Sequence, residues 1–298
     1  MAINYTARKE DEGRELKKLL RLELKFSVTL IRKLKNAGGI FVNSRPVFTN
    51  YRLSEGDILS CDISMAEAES ALVPEKGELD IVFEDEWLIA VNKPSGLLSH
   101  PSRARYTGTL ANYVFDYLGG ACHAVNRLDR DTSGLVLFAK SSHAKARASA
   151  ALSDDSAGKK YYALVYGCLS EARGVIDAPI KRLQERDMRR SVSDGGEAAV
   201  THFTVLKTFD FSGETATLLE VRLETGRTHQ IRVHFEYMGR PLLGDTLYYS
   251  QESRELSQKL GISAQALHAF NLSFDHPFTG ERIELFCDCK RADMKPFL

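Results

Sequence analysis

Between Asn126 and Lys140 the chain sets an aspartate, Asp129, among Arg127, Arg130 and Asp131, with Leu128 in their midst. Asp131, Thr132, Ser133 and Gly134 supply turn chemistry, and the apolar run Leu135 to Ala139 behind them reads as a buried strand. The Asp129 carboxylate is thus carried by a loop that feeds a rigid element. Leu128 draws this loop inward while Arg127 and Asp129 resist desolvation, a conflict that marks sites. A solvated turn with a local ion pair fits the same residues.

A second group of charged residues follows the alternating strand residues Thr215, Thr217, Leu219, Val221 and Leu223. Thr228 stands where it can cap a helix whose Ile231, His234, Phe235 and Met238 recur at the spacing of a buried face, and Gly239 with Pro241 ends that helix. Arg227, His229 and Arg232 then lie near the helix N-terminus. The dipole disfavours cations there, which points to an anionic partner, phosphate or carboxylate. Histidines at 229, 234 and 268 lack a metal-ligand spacing, so no metal is expected.

These residues need elements to hold them. Lys159 to Gly167 reads as a strand with Tyr161 and Ala163 on one side and Tyr162, Leu164 and Tyr166 on the other; such tyrosines pack into cores, and one set is free to face a cleft. Leu79 to Asn92 supplies two strand-like runs around an acidic turn, and Lys93 to Pro101 is a loop shaped by prolines and glycine. Lys93 fits either a phosphate contact or a surface position. Pro179 to Arg182 and Arg186 to Arg190 are basic, as solvated loops or as contacts to a polyanion.

The 298 residues suffice for two domains. The acidic stretch 65–78 has linker composition and separates residues 1–64 from 79–298. No apolar run is long enough to span a membrane and the N-terminus lacks a leader pattern, so a cytoplasmic protein is expected. The five cysteines are an odd, scattered set that suits free thiols, and Cys287 and Cys289 read as alternating strand positions. Forty basic and forty acidic side chains cancel in total, but from Arg14 to Arg52 ten Lys/Arg face only Glu15 and Glu23. A polyanion is attracted to such a stretch. Within it Leu16, Leu19 and Leu20, then Leu30, Ile31 and Leu34 after Ser27, mark two helices, Gly38-Gly39 stops the second, and short strands follow at Ile40 to Val42 and Ile58-Leu59.

On Leu30 to Lys35, Gly39 to Asn43 and Glu55-Gly56-Asp57, this first module resembles the small RNA-binding fold of ribosomal protein S-four. On Asn92 to Leu97, Arg127 to Gly134, the strand around Tyr161, Gly226 to Arg232, Leu243-Gly244-Asp245 and Leu267 to Ala269, residues 79–298 resemble the RluA family of pseudouridine synthases. The resemblance implies an α+β architecture: a mixed, mainly antiparallel sheet flanked by helices, preceded by a small α/β RNA-binding domain. It implies conversion of a uridine in structured ribosomal or transfer RNA to its carbon-linked isomer, without metal or organic cofactor. Asp129 corresponds to the catalytic carboxylate, acting beside the sugar as nucleophile or base. Arg232 matches the arginine that keeps that carboxylate charged, and Tyr161 matches the aromatic residue on which the base turns. Arg127 matches the residue that fills the gap left by the extruded nucleotide. Lys93, Arg130, Arg227, His229 and Gln230, with Arg32, Lys33 and Lys35 of the first module, are expected to contact RNA. Asn126 departs from the family pattern, where many members carry histidine. A monomer without an obligate protein partner is expected.

Two other classes fit less well. A non-catalytic RNA binder explains the basic residues but gives no reason for an aspartate among them, which repels the ligand. A hydrolase lacks a Gly-x-Ser-x-Gly elbow or a recognisable Ser-His-Asp set.

Overall fold

In a computed structural model of the chain the described residues are 2–66, 72–102, 105–183 and 189–298, and two sheets and a short hairpin organise them. The first module comprises β1 (Ala2–Thr6), α1 (Leu16–Leu22), α2 (Val28–Ala37), β2 (Ile40–Val42), β3 (Arg45–Pro46) and β4 (Ile58–Asp62). Its strands pair in the order β1-β4-β2-β3. Ser27 caps α2 by accepting from the Leu30 N–H at 3.1 Å, and Gly38 ends it in the left-handed region at φ 70°. The six leucine and isoleucine positions read from the sequence are all buried in one core. Arg32, Lys33 and Lys35 are left exposed on the opposite face of α2. Arg14 is paired with Asp11 at 2.8 Å and with Glu23 at 3.1 Å, which removes it from the free positive charge of the module. Strand β1 was not expected; it is a five-residue edge strand in which only Ile3 and Tyr5 pack on the core, too short a pattern to stand out in the sequence.

The composition of 65–78 suggests a free linker, and the structure differs. Residues 67–71 lie outside the described residues, but Val73 O accepts from Asn112 Nδ2 at 2.8 Å and the Glu75 carboxylate accepts from the Gly108 N–H at 2.5 Å. The last part of the stretch is therefore fastened to the second unit. Phe26, buried between α1 and α2, meets the His143 ring with centroids 4.8 Å apart.

That second unit contains β5 (Ile81–Glu84), β6 (Leu88–Lys93), α3 (Leu110–Leu118), β7 (His123–Ala124), β8 (Ser133–Ala139), α4 (Ser142–Ala151), β9 (Gly158–Tyr166) and β10 (Arg173–Asp177). It continues with β11 (Ile180–Arg182), β12 (Arg190–Val192), β13 (Val200–Phe211), β14 (Glu214–Leu223), α5 (Gln230–Tyr237), α6 (Gln251–Lys259), β15 (Leu267–Asp275) and β16 (Arg282–Phe286). Among the described residues the large sheet runs β10-β13-β14-β9-β15-β8-β6-β5, with β16 beside β15 and β7 beside β8. Its pairs are antiparallel except β15 with β8.

Leu135 to Ala139 lacks alternation because β8 is covered on both faces. Leu135 and Leu137 join Leu88, Ala90 and the alanines of α4, whereas Val136 and Phe138 join Ile89, Val91 and α3. Each such buried side chain contributes about 1.5–3 kcal/mol. This two-sided burial makes β8 a stiff support for the loop before it. Gly134 is required where β8 meets β15, since any side-chain carbon there would collide with the Ala269 backbone.

Two other expectations are corrected. Cys287 and Cys289 lie beyond the end of β16 instead of alternating along it. Ile180 to Arg182 forms a hairpin with Arg190 to Val192, not a loop; Arg186 falls in 184–188, outside the described residues. Among the described residues no helix is long and apolar enough to cross a membrane.

Candidate active site

The Asp129 loop is clamped at both ends. Asn126 Oδ1 accepts from the Leu137 N–H at 2.7 Å and its Nδ2 donates to Leu135 O at 3.2 Å, so the residue that departs from the family pattern ties the incoming chain to β8. The Thr132 N–H closes a tight turn on Asp129 O at 3.2 Å. The loop after β6 forms the other wall. Ser99 Oγ accepts from the Leu128 N–H and donates to Leu128 O, Ser95 Oγ donates to Asp131 O, and the Gly96 N–H donates to Arg130 O.

Lys93 completes this clamp, and its expected contact with RNA is excluded. It has no exposed surface, and its Nζ donates to Pro94 O, Leu97 O and Arg130 O at 2.8–2.9 Å. A buried ammonium satisfied by three carbonyls cannot reach a phosphate. Burial, partly offset by Asp131 and Asp129, pulls its pKa down to about 7. The unfolded chain therefore binds this proton more tightly between about pH 7 and the ordinary lysine value of about 10.4, and stability from this group rises with pH in that window. Urea unfolding is expected to show the native protein gaining roughly 1–2 kcal/mol from pH 7 to 8.5 relative to Lys93→Met, which cannot titrate. Parallel pH profiles for the two proteins would contradict this.

Asp129 projects from the clamped loop toward α5 and is 28% exposed. Arg232, on the first turn of α5, donates through Nη1 to Asp129 Oδ2 at 2.9 Å. The rest of its fork is held by Asp245, with Nε to Oδ2 at 2.6 Å and Nη2 to Oδ1 at 2.8 Å. The anion expected near this helix N-terminus is thus a pair of protein carboxylates. Burial alone would lower the Arg232 pKa, but Asp245 and then Asp129 outweigh it and hold the guanidinium more firmly protonated than a free arginine. Asp245 is fully buried, and its Oδ1 also accepts from the N–H groups of Leu247 and Tyr248. It was legible only as part of Leu243-Gly244-Asp245; the signal was a single acid among Pro241, Leu242, Leu243 and Leu247.

The start of α5 also differs from expectation. The helix begins at Gln230, and His229, not Thr228, occupies the capping position, in the left-handed region at φ 60°. No side chain caps the helix, and Gln230 instead fastens the preceding turn: its Oε1 accepts from the Arg227 N–H and from Thr225 Oγ1, and its Nε2 donates to Val200 O and Thr201 Oγ1. With 2% exposure and every polar atom engaged, Gln230 is a brace and not an RNA contact. Ile231, His234 and Phe235 are buried as expected, but Met238 lies past the helix end and is 40% exposed.

The carboxylate opens onto a narrow cavity of about 70 Å³, bordered by Arg127, Tyr161, Arg227, His229 and Arg232. Tyr161 reaches it from the centre of β9. Burial first, then the charge of Asp129, pushes its pKa up to about 12, so its hydroxyl is a protonated donor at neutral pH. Arg227 is exposed, pairs with Glu197 at 2.9 Å and donates to Ala198 O. Arg127 is exposed at the mouth, and Arg130 turns outward against Asp131. Arg32, Lys33 and Lys35 belong to the first module and do not line the cavity. A larger cavity of about 390 Å³ between Asp80, Asn92, Ser95 and Lys290 has no aromatic residue in its lining.

Asp129, Arg232 and Tyr161, the residues singled out by the resemblance to pseudouridine synthases, thus meet at one cavity beside a mainly antiparallel sheet. Comparison with known proteins agrees. The RNA pseudouridylate synthase family pattern matches residues 87–237. The uncharacterized RNA pseudouridine synthase YhcT of Bacillus subtilis (strain 168) is 40% identical over 92% of this chain and 89% of its own length. Ribosomal large subunit pseudouridine synthase D of Zymomonas mobilis is 37% identical over 85% of this chain and 83% of its own. The solved structure of human RNA pseudouridylate synthase domain containing 1 superposes with a TM-score of 0.60 at 25% identity, covering 75% of this chain and 86% of that one. The chain belongs to the RluA family of RNA pseudouridine synthases.

Proposed function

We propose that the enzyme isomerises a uridine in structured ribosomal RNA, in the cytoplasm, with Asp129 as its catalytic carboxylate. The observation that carries this reading is the 2.9 Å ion pair between Arg232 and Asp129, the one carboxylate among the described residues that lines the cavity. The reaction breaks the bond from C1′ to N1 and forms one from C1′ to C5; C5 loses a proton and N1 gains one, so mass is unchanged. A negative charge beside the sugar supports the first event, and the bond from Arg232 fixes where that charge sits. Tyr161 offers a flat face to the detached base and a hydroxyl for the proton that moves. Relatives named as large-subunit enzymes favour ribosomal over transfer RNA as substrate.

The cavity is far smaller than the ~300 Å³ or more of ordinary ligand pockets, so the nucleotide enters as Arg127 leaves the mouth. Arg127 then occupies the gap in the RNA, since an extruded base leaves its neighbours unstacked. Residues 1–64 supply further affinity as an S-four-like module, with Arg32, Lys33 and Lys35 exposed along one helix for phosphates. The reading is tested by incubating the protein with unmodified ribosomal RNA and analysing nucleosides: a mass-neutral isomer of uridine is expected, and none, or a change of mass, would reject it. Arg127→Ala is expected to slow turnover on folded RNA by about ten- to hundredfold and on an unstructured oligonucleotide by much less. Equal losses on both would remove the wedge role.

A further inference from the structure

His229 and Tyr248 stand beside Asp129 with an arrangement that the catalytic assignment leaves unexplained. Tyr248 has no exposed surface; its hydroxyl accepts from the Arg190 backbone N–H at 2.7 Å and lies 3.0 Å from His229 Nδ1. A phenol has one proton to donate. Among the described residues no acceptor other than Nδ1 meets this hydroxyl, so the proton points there. His229 then carries its own proton on Nε2. That Nε2 lies 3.7 Å from Asp129 Oδ2, the oxygen already bound by Arg232, whereas Oδ1 accepts nothing from the described residues.

We infer that His229, fixed as the Nε2–H tautomer by Tyr248, is the second donor to Asp129 Oδ2, and that the two donors together present Oδ1 as the oxygen that acts on the sugar. Both His229 and Tyr248 are positioning residues. At 3.7 Å this separation is longer than a hydrogen bond, and the proposal requires it to shorten in the complex with the nucleoside. Backbone geometry supports the assignment. Of the five described non-glycine residues with positive φ, His229 is the one at the cavity; Lys25, Asn43 and Ser44 lie in the first module and Ser212 in the β13–β14 turn. A conformation that L-residues avoid is kept where it aims an imidazole at the carboxylate. Burial, opposed by Asp129, lowers the His229 pKa, in keeping with a neutral ring.

The inference rests on Asp129 being the catalytic carboxylate, and the test separates the two. Single-turnover rates and KM are measured on large-subunit ribosomal RNA transcribed in vitro, with full-length wild type, His229→Ala, His229→Gln, Tyr248→Phe and Asp129→Asn. A glutamine amide places an N–H near the position of Nε2, so His229→Gln restores the donor without the ring. His229→Ala is expected to lose roughly 10–100-fold in rate with KM within about twofold of wild type, and His229→Gln to regain most of it. Tyr248→Phe is expected to lose roughly five- to tenfold, because the imidazole is then free to exchange tautomers. Melting curves identify any variant that fails to fold, and the remaining two then decide. Wild-type rates in His229→Ala, a loss confined to KM, or a folded His229→Gln no faster than His229→Ala would overturn the inference. Retained activity in Asp129→Asn would overturn the catalytic reading instead.

Discussion

Asp129→Asn is expected to lower pseudouridine formation by about four orders of magnitude while RNA affinity stays within about twofold. The substitution is nearly isosteric, and the side-chain oxygen of asparagine still reaches Arg232. What disappears is the negative charge at the cavity, without which neither attack on the sugar nor removal of its proton proceeds. The affinity is expected to be spared because the exposed cations proposed to meet phosphates, Arg127 among them, are unchanged. The fold is spared because Arg232 keeps both bonds to Asp245. Nucleoside analysis after extended incubation reads the first number and filter binding reads the second. Product at a rate comparable to wild type would remove Asp129 from the chemistry and, with it, the assignments of Arg232 and Tyr161.

Local signals made much of this legible in the sequence. Ser27 and Gly38 bound α2, and the unbroken apolar run Leu135 to Ala139 marks β8, because caps and two-sided burial leave a trace in neighbouring residues. Asp129 stood out as a candidate for a similar reason, as a charge placed against Leu128 next to a strand. Lys93, Gln230 and Tyr248 were not. The partners that decide their roles are distant in the chain: Arg130 O for Lys93, Val200 O for Gln230, and His229 with the Arg190 N–H for Tyr248. A lysine next to a proline looks the same whether it meets water or three carbonyls. Thr228 carried a valid capping signal, yet the side chain of Gln230 bonds the preceding turn and the helix starts one residue later. Asp245 shows the limit most clearly, since its burial and its partner, thirteen residues away, both arise only when α5 is seated.

Asp245 also yields the largest expected effect on stability. It is fully buried and Arg232 is only 7% exposed, so removing the Asp245 carboxylate leaves a guanidinium out of water with a single counter-charge. Two backbone donors, Leu247 and Tyr248 N–H, lose their acceptor at the same time. Breaking one side of a buried pair costs about 3–5 kcal/mol, far more than an exposed pair. Asp245→Ala is therefore expected to shift the urea midpoint by an amount equivalent to roughly that range, whereas Asp129→Asn, 28% exposed and solvent-screened, should stay within about 1 kcal/mol of wild type. Activity should fall too, by roughly a hundredfold, because an unbraced Arg232 no longer fixes Asp129 and a displacement of about 1 Å at a reacting group is worth that much. The two carboxylates of Arg232 are thus separable by measurement: one change removes chemistry and leaves the fold, the other weakens both. An Asp245→Ala protein with the wild-type urea midpoint would show that the buried fork contributes nothing to folding, and the rigidity assigned to the Asp129 carboxylate would need another source.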